Sequence, residues 1–387
     1  MASRIRLVLV TVGLLLLCRG AAMIAADHMP PDGAPSFGFR TPAGASQSNE
    51  GPRGMELLHA TAAAAGRQLD LRGQPLRDFV AEHGFTVRSV EAAHRKLHER
   101  ILRGPYREGC YDVVATLADG EYNCLTATIL LKAYCDLEGI PIQVVATNRH
   151  VAMMLPDGTI IEPACREWFE PNRMVTSRWS FAGNLPGDDA SNDSPYRGTQ
   201  GSTGFAPTQL HASTLNAWQL IARVHFNRGI AATSRSAFQE AVEQFAIAVK
   251  LDPRFMEARQ NEFATRNNWA IALSKAGDFA AAQDQLVHAR TLDAHSPLLD
   301  ANQQHVDHRQ ALEFYQQRRY REALTVLEAG QQRSPDANRY SRAAMAVGRE
   351  WIRAMRQSGQ AVDARRLLHE FLDVFPELVE CDREVGR

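Results

Sequence analysis

Neither sign of charge dominates this chain: 43 lysines and arginines stand against 44 aspartates and glutamates, a formal net charge of -1 over 387 residues. That balance excludes the basic field on which nucleic-acid recognition relies, and no nucleic-acid partner is expected. No long acidic or basic run reads as a charged tail. Long hydrophobic runs are scarce too. The apolar run from Leu7 to Leu17 falls short of the roughly 20 residues a bilayer span needs, and Arg19 follows it closely. No two of the six cysteines make a CxxC pair. Structural zinc is therefore not expected, and nothing else in the chain asks for a metal or cofactor.

The amino terminus is informative. Arg4 and Arg6 precede the apolar run, and Gly20-Ala21-Ala22 and Ala25-Ala26 follow it. This order of positive, apolar and small residues is that of a secretion signal, expected over residues 1–26 and cleaved near Ala26. It implies an exported protein, periplasmic or extracellular, with membrane attachment only if the segment stays uncleaved. Five cysteines then remain, Cys110, Cys124, Cys135, Cys165 and Cys381, an odd number that leaves at least one thiol unpaired within the chain. Cys110 with Cys165 is one conceivable pair.

Residues 27–54 are rich in Pro, Gly, Ser and Ala without apolar periodicity, a flexible linker. An α+β domain is expected over 55–183. Its helical pattern runs in pieces from Met55 to about Leu102, broken at Gly104-Pro105, with short helices and strands over 106–165. A second loop region follows at 184–209. From Leu210 the chain reads as helical to its end. His94 and His98, spaced i, i+4 among charged residues, read as a solvated face; Cys135, Trp168, Trp179 and Trp218 read as packing residues.

The helical part repeats. Ala241, Ala282, Ala323 and Ala364 are each 41 residues apart. Four positions after each stand Phe245, Leu286, Leu327 and Leu368; three further on, Ala248, Ala289, Gly330 and Phe371; five beyond those, Pro253, Ala294, Pro335 and Pro376. A small residue lets two helices approach, a large one fills the groove between hairpins, and proline ends the second helix. The spacing resembles the tetratricopeptide repeat, lengthened from about 34 residues by two helical turns, so that the apolar face keeps its direction. The resemblance implies four units forming an all-α solenoid over 210–387, with a concave surface for a protein or peptide partner.

Chemistry concentrates near Cys124. Asn123 is a good N-cap, and the helical pattern from Cys124 ends at Gly139-Ile140-Pro141. A cysteine in a first helical turn gains from the helix dipole and from free N–H groups, which also suit an oxyanion. A strand at Ile142–Thr147, a second at His150–Leu155 and a return strand at Thr159–Glu162 follow. Helix-start Cys124, strand His150 and strand Glu162 are then a nucleophile, a base and an orienting acid in chain order. A two-residue Asp157-Gly158 turn would put Glu162 on the face opposite His150. A longer loop, Leu155 to Asp157, would set the two directly across from each other, and this register is expected.

The order resembles the transglutaminase-like core of the papain-like fold over about 108–165. The phrases Tyr-Asn-Cys-Leu-Thr-Ala-Thr, Glu-Gly-Ile-Pro, Arg-His-Val and Ile-Glu-Pro fit compact bacterial members, some fused to tetratricopeptide repeats. The resemblance implies a cysteine acyl-transfer enzyme in which Cys124 attacks a carboxamide or peptide carbonyl, His150 carries the proton and Glu162 orients it. Here Glu stands where the family has Asp, and no Gln shortly precedes Cys124. The alternative is a catalytically inactive domain, a scaffold that recruits partners through its repeats. A scaffold without any pocket would bury Cys124 fully and turn His150 elsewhere.

Overall fold

A computed structural model describes residues 51–71, 89–146, 150–168, 213–334 and 338–385. The expected signal segment, nearly all of the linker, the loop at 184–209, Cys18 and Trp179 lie outside them. No helix of the described residues is long and apolar enough to cross a membrane.

The first part of the fold is helical, with a small sheet. Helix α1 spans Met55–Ala64, α2 Val90–Arg100, α3 Val113–Asp119 and α4 Cys124–Leu137. Strands β1 (Gln143–Ala146), β2 (Val151–Met154) and β3 (Ile160–Ile161) follow, and β4 is Ser213–Leu215. The sheet runs in the order β3-β2-β1-β4, and every pairing is antiparallel. Helix α4 forms because Asn123 and Thr126 build a reciprocal capping box at its start. It is buried along most of its length, from Leu125 to Cys135. Cys135 is core, as expected. Around α4 gather Leu57 and Leu58 of α1, Leu97 of α2, Val113 of α3, and Val144, Val151 and Met153 of the sheet.

The remainder is a stack of helical hairpins. Helices α5 (Ala217–Ser234), α7 (Met256–Ala276), α9 (Pro297–Gln316) and α11 (Asn338–Gln357) alternate with α6 (Phe238–Leu251), α8 (Phe279–Leu292), α10 (Tyr320–Arg333) and α12 (Ala361–His369). The second helices begin 41 residues apart, at Phe238, Phe279, Tyr320 and Ala361. Three of them have 14 residues, whereas the first helices α7, α9 and α11 have 20 or 21. The length added to the repeat therefore sits in the first helix of each hairpin. The turn residues keep the same phase: Ser236, Gly277, Arg318 and Gly359 all adopt positive φ, at 59°, 86°, 61° and 79°. Ala241, Phe245 and Ala248, with their counterparts Ala282, Leu286 and Ala289 and then Ala323, Leu327 and Gly330, are buried.

Two features depart from the sequence reading. Helix was expected from Leu210 onward, but Ser213–Leu215 is the edge strand beside β1. The fourth hairpin is shorter than its fellows: α12 stops at His369, and a last helix, α13 (Leu378–Val385), follows. Phe371, Phe375, Leu378 and Cys381 close the apolar end of the stack, as a terminal repeat must.

The strand explains how the two parts join. Strand β4 leads through the Asn216 cap into α5. Leu220, Ile221 and Val224 of α5 are buried in the core built around α4. Arg228 of the same helix donates to the Ala64 carbonyl at the end of α1, at 3.2 Å. The first repeat helix is thus a wall of the α+β core.

Candidate active site

Cys124 is the first residue of α4, and its side chain is half-buried. The Asn123 cap beneath it is fully engaged: its carbonyl oxygen accepts from the Thr126 N–H at 3.0 Å, and its amide donates to the Glu108 and Cys110 carbonyls at 2.9 and 2.6 Å. This cap ties the segment before α3 to the cysteine and fixes where the helix starts.

The β2–β3 connection decides whether His150 and Glu162 meet. Met154 pairs with Ile160 and Met153 with Ile161. Leu155 N–H donates to the Thr159 carbonyl at 2.8 Å, and Gly158 N–H to the Leu155 carbonyl at 3.0 Å, with Gly158 at φ 82°. The result is a three-residue loop, Pro156 to Gly158, of the kind that ends in a left-handed glycine. The expected longer loop is present, one residue further along the chain. One step along this register Glu162 lies across from Ala152, so His150 and Glu162 share a side of the sheet diagonally rather than directly opposite each other. The diagonal neighbour is still within reach of a long side chain, and glutamate has the methylene to use it.

His150 Nε2 hydrogen-bonds to Glu162 Oε2. The other carboxylate oxygen accepts the Ala164 N–H at 3.1 Å, and the glutamate is buried. On its other side His150 lies beside the Cys124 side chain, which acts on the imidazole together with Glu162. With Nε2 committed to Glu162, Nδ1 is the ring nitrogen left for the thiol. Burial opposes a charge on this imidazole, but the Cys124 thiol and the Glu162 carboxylate outweigh it and raise its pKa to about 10. The ring stands between the Cys124 sulfur and the Glu162 carboxylate, and both favour its protonated form. The structure thus brings together all three residues singled out in the sequence. The pocketless-scaffold reading required a buried Cys124 and a His150 turned away, and neither holds.

Sequence reasoning missed Tyr106. Gly104 N–H donates to the Gly120 carbonyl at 2.9 Å and Arg107 N–H to the Tyr122 carbonyl at 2.8 Å, laying residues 104–107 along the approach to Cys124. The ring packs edge-on against Tyr122, with centroids 6.1 Å apart. Its hydroxyl lies near the Cys124 thiol, and burial first, and then that thiol, drives its pKa upward. A tyrosine eighteen residues upstream in an irregular segment carries no periodic signal that would have found it.

His94 and His98 correct a second reading. They are buried, not solvated. His94 Nε2 donates to the Cys165 carbonyl and His98 Nε2 to the Pro163 carbonyl, each at 2.9 Å. Their rings lie 4.6 Å apart, between Trp168 and Tyr122. Burial, then the neighbouring His98, pulls the His94 pKa down to about 4. The pair clamps the chain just after Glu162 and so holds the carboxylate in place. The charged residues around them in sequence concealed an apolar stripe of Ala93, Leu97 and Ile101.

All five described cysteines are free thiols, so Cys110 and Cys165 are not paired with each other. Burial pushes the Cys110 thiol up, and Cys135 and Cys165 up to about 12. These three are poor nucleophiles at neutral pH. Among the described residues no group of three or more side chains is arranged to hold a metal ion.

No protein-family model matches the chain, and no curated protein matches it. Among solved structures, nearly identical tetratricopeptide-like repeats of a kinesin light chain from Podosopora anserina match at 19% identity, over 43% of this chain and 77% of that one, with a TM-score of 0.19. A score that low carries no weight. The helices themselves form hairpins whose second members start every 41 residues, a regular helical-hairpin repeat.

Proposed function

We propose that this chain is an exported cysteine acyl-transfer enzyme, transglutaminase-like or peptidase-like, whose repeats hold a protein or peptide partner on their concave surface. One observation carries the reading: His150 hydrogen-bonds to the buried carboxylate of Glu162 and lies beside the helix-start thiol of Cys124. A nucleophile, a proton carrier and an orienting acid are the minimum that acyl transfer from an amide needs.

In this reading the Cys124 thiolate attacks the carbonyl carbon of a carboxamide or peptide bond, forming a C–S bond and an oxyanion. The C–N bond breaks as His150 gives its proton to the leaving amine. A thioester on Cys124 remains. Water, or a second amine, then attacks the thioester, His150 takes the incoming proton, and the C–S bond breaks. No cofactor enters the cycle. Glu162 holds the imidazole through Nε2 so that Nδ1 stays on the sulfur.

The test uses an activated ester. p-Nitrophenyl acetate is expected to give a burst of nitrophenolate and a mass increase of one acetyl group on Cys124, lost in Cys124→Ser and strongly slowed in His150→Ala. Acetylation spread evenly over several nucleophiles, and unaltered in either variant, would leave the inactive scaffold as the better reading.

A further inference from the structure

His94 and His98 stand one turn apart on α2, and both imidazoles are buried. Their ring centres are 4.6 Å apart. Trp168 meets His94 edge-on at 5.6 Å, and Tyr122 meets His98 edge-on at 5.5 Å. Each ring holds one carbonyl of the turn that follows Glu162: His94 that of Cys165, His98 that of Pro163. The turn also closes on the glutamate, with the Ala164 N–H on Oε1 at 3.1 Å and the Cys165 N–H on the Glu162 carbonyl at 3.2 Å.

A carbonyl only accepts, so Nε2 of each ring carries the hydrogen and a neutral ring satisfies the bond. Nδ1 of His98 is then a bare lone pair, buried without a hydrogen-bond partner. A proton there would be a buried charge with no acceptor, beside a second imidazole. The ionisable groups around the pair do not offset it. Burial keeps the Tyr122 phenol and the Cys165 thiol neutral. Arg166, on the turn itself, is positive and opposes a proton on His98. The Glu162 carboxylate is bound to His150 and to the Ala164 N–H. On α2, Glu91 and Glu99 are exposed, and Glu91 pairs with Arg95. A proton is therefore accepted once the rings reach water, and they cannot reach water without letting go of the two carbonyls.

We propose that the His94–His98 pair is an acid-sensitive catch: neutral, it holds the 162–165 turn and keeps Glu162 on His150; protonated, it releases the turn and disarms Cys124. The consequence for Cys124 rests on the acyl-transfer reading, whereas the release of the turn does not.

Hydrogen exchange of the full chain tests the release, read by mass spectrometry on a peptide covering 160–168 and corrected for the intrinsic pH dependence of exchange. Between pH 7 and pH 5 protection of this peptide is expected to fall about twentyfold, the factor for an imidazole of pKa about 4 when held and 6.5 when free. Helix α4 from Leu125 to Cys135 should keep its protection, and the turn should regain its own on return to pH 7. The double variant His94→Gln with His98→Gln, which keeps a donor for each carbonyl, is expected to lose about twofold at most. Unchanged protection of the turn at pH 5, or a loss shared equally by α4, overturns the catch, and this comparison needs only the unmutated protein if the double variant does not fold. Iodoacetamide labelling of Cys124 joins the release to the site: it should fall more steeply with acid in the unmutated protein than in the double variant, and equal steepness overturns the link. A turn that opens beside a Cys124 no faster than an ordinary thiol at any pH overturns the acyl-transfer reading and leaves the catch. A turn that stays closed beside a fast Cys124 overturns the catch and leaves the reading.

Discussion

The behaviour of Cys124 is set by what touches it. His150 lies beside the sulfur on one side, and the Tyr106 hydroxyl lies near it on the approach from residues 104–107. Removing that hydroxyl uncovers the sulfur. Tyr106→Phe is therefore expected to speed alkylation of Cys124 by iodoacetamide about fivefold, the worth of one hydrogen bond; a slower rate would make the phenol a supporter of the reactive form instead. His94 works through stability. Its imidazole has a pKa of about 4 in the fold against an ordinary 6.5. Below about 6.5 the unfolded chain binds a proton that the folded chain refuses until about 4. Stability should fall as pH drops through that window, by about 3 kcal/mol in all. Urea midpoints at pH 7 and pH 4.5 check this, and His94→Gln, which keeps a donor for the Cys165 carbonyl, should flatten the dependence.

Within the helices, the turns and crossings carry the energetic detail. Ser236 and Arg318 hold the left-handed conformation that Gly277 and Gly359 hold in the other hairpins. Glycine at either site should raise stability by about 1 kcal/mol, since an L-residue is strained there, and thermal melts of Ser236→Gly and Arg318→Gly test it. Gly330 is the opposite case. A β-carbon there would stand 2.2 Å from the Tyr340 ring. The ring has nowhere to go, because it is buried and its hydroxyl donates to the buried Asp307 at 2.8 Å. Gly330→Ala should cost about 1–3 kcal/mol through overpacking. The 41-residue phase made the second helices legible in the sequence, because one small and one large residue at fixed spacing decide each crossing. The strand Ser213–Leu215 was not legible: three residues are too few to show a period. The site was legible in its three members, since capping and strand alternation are local. Its diagonal register depends on a loop one residue further on, and Tyr106 depends on tertiary pairing.

Across the whole molecule, the α+β part and the repeats share a core. Leu215, Leu220, Ile221 and Val224 come from the repeat side of the expected boundary at residue 210 and are buried with α4. A fragment ending at 209 would lose the edge strand and expose that apolar face, so it should show no cooperative unfolding transition in urea, whereas the full chain should show one. A fragment that melts sharply by itself would show that the two parts fold independently. Shared packing also couples the repeats to the helix that carries the cysteine, because Leu220, Ile221 and Val224 of α5 pack in the core built around α4.

The most direct test is the pH dependence of iodoacetamide labelling at each cysteine, read by peptide mass spectrometry in the unmutated protein and in His150→Ala. Cys124 should label near neutral pH faster than Cys110, Cys135 and Cys165, and should lose that advantage when His150 is removed. Labelling of Cys124 no faster than an ordinary thiol, and indifferent to His150, would contradict the account and leave a repeat protein that binds without reacting.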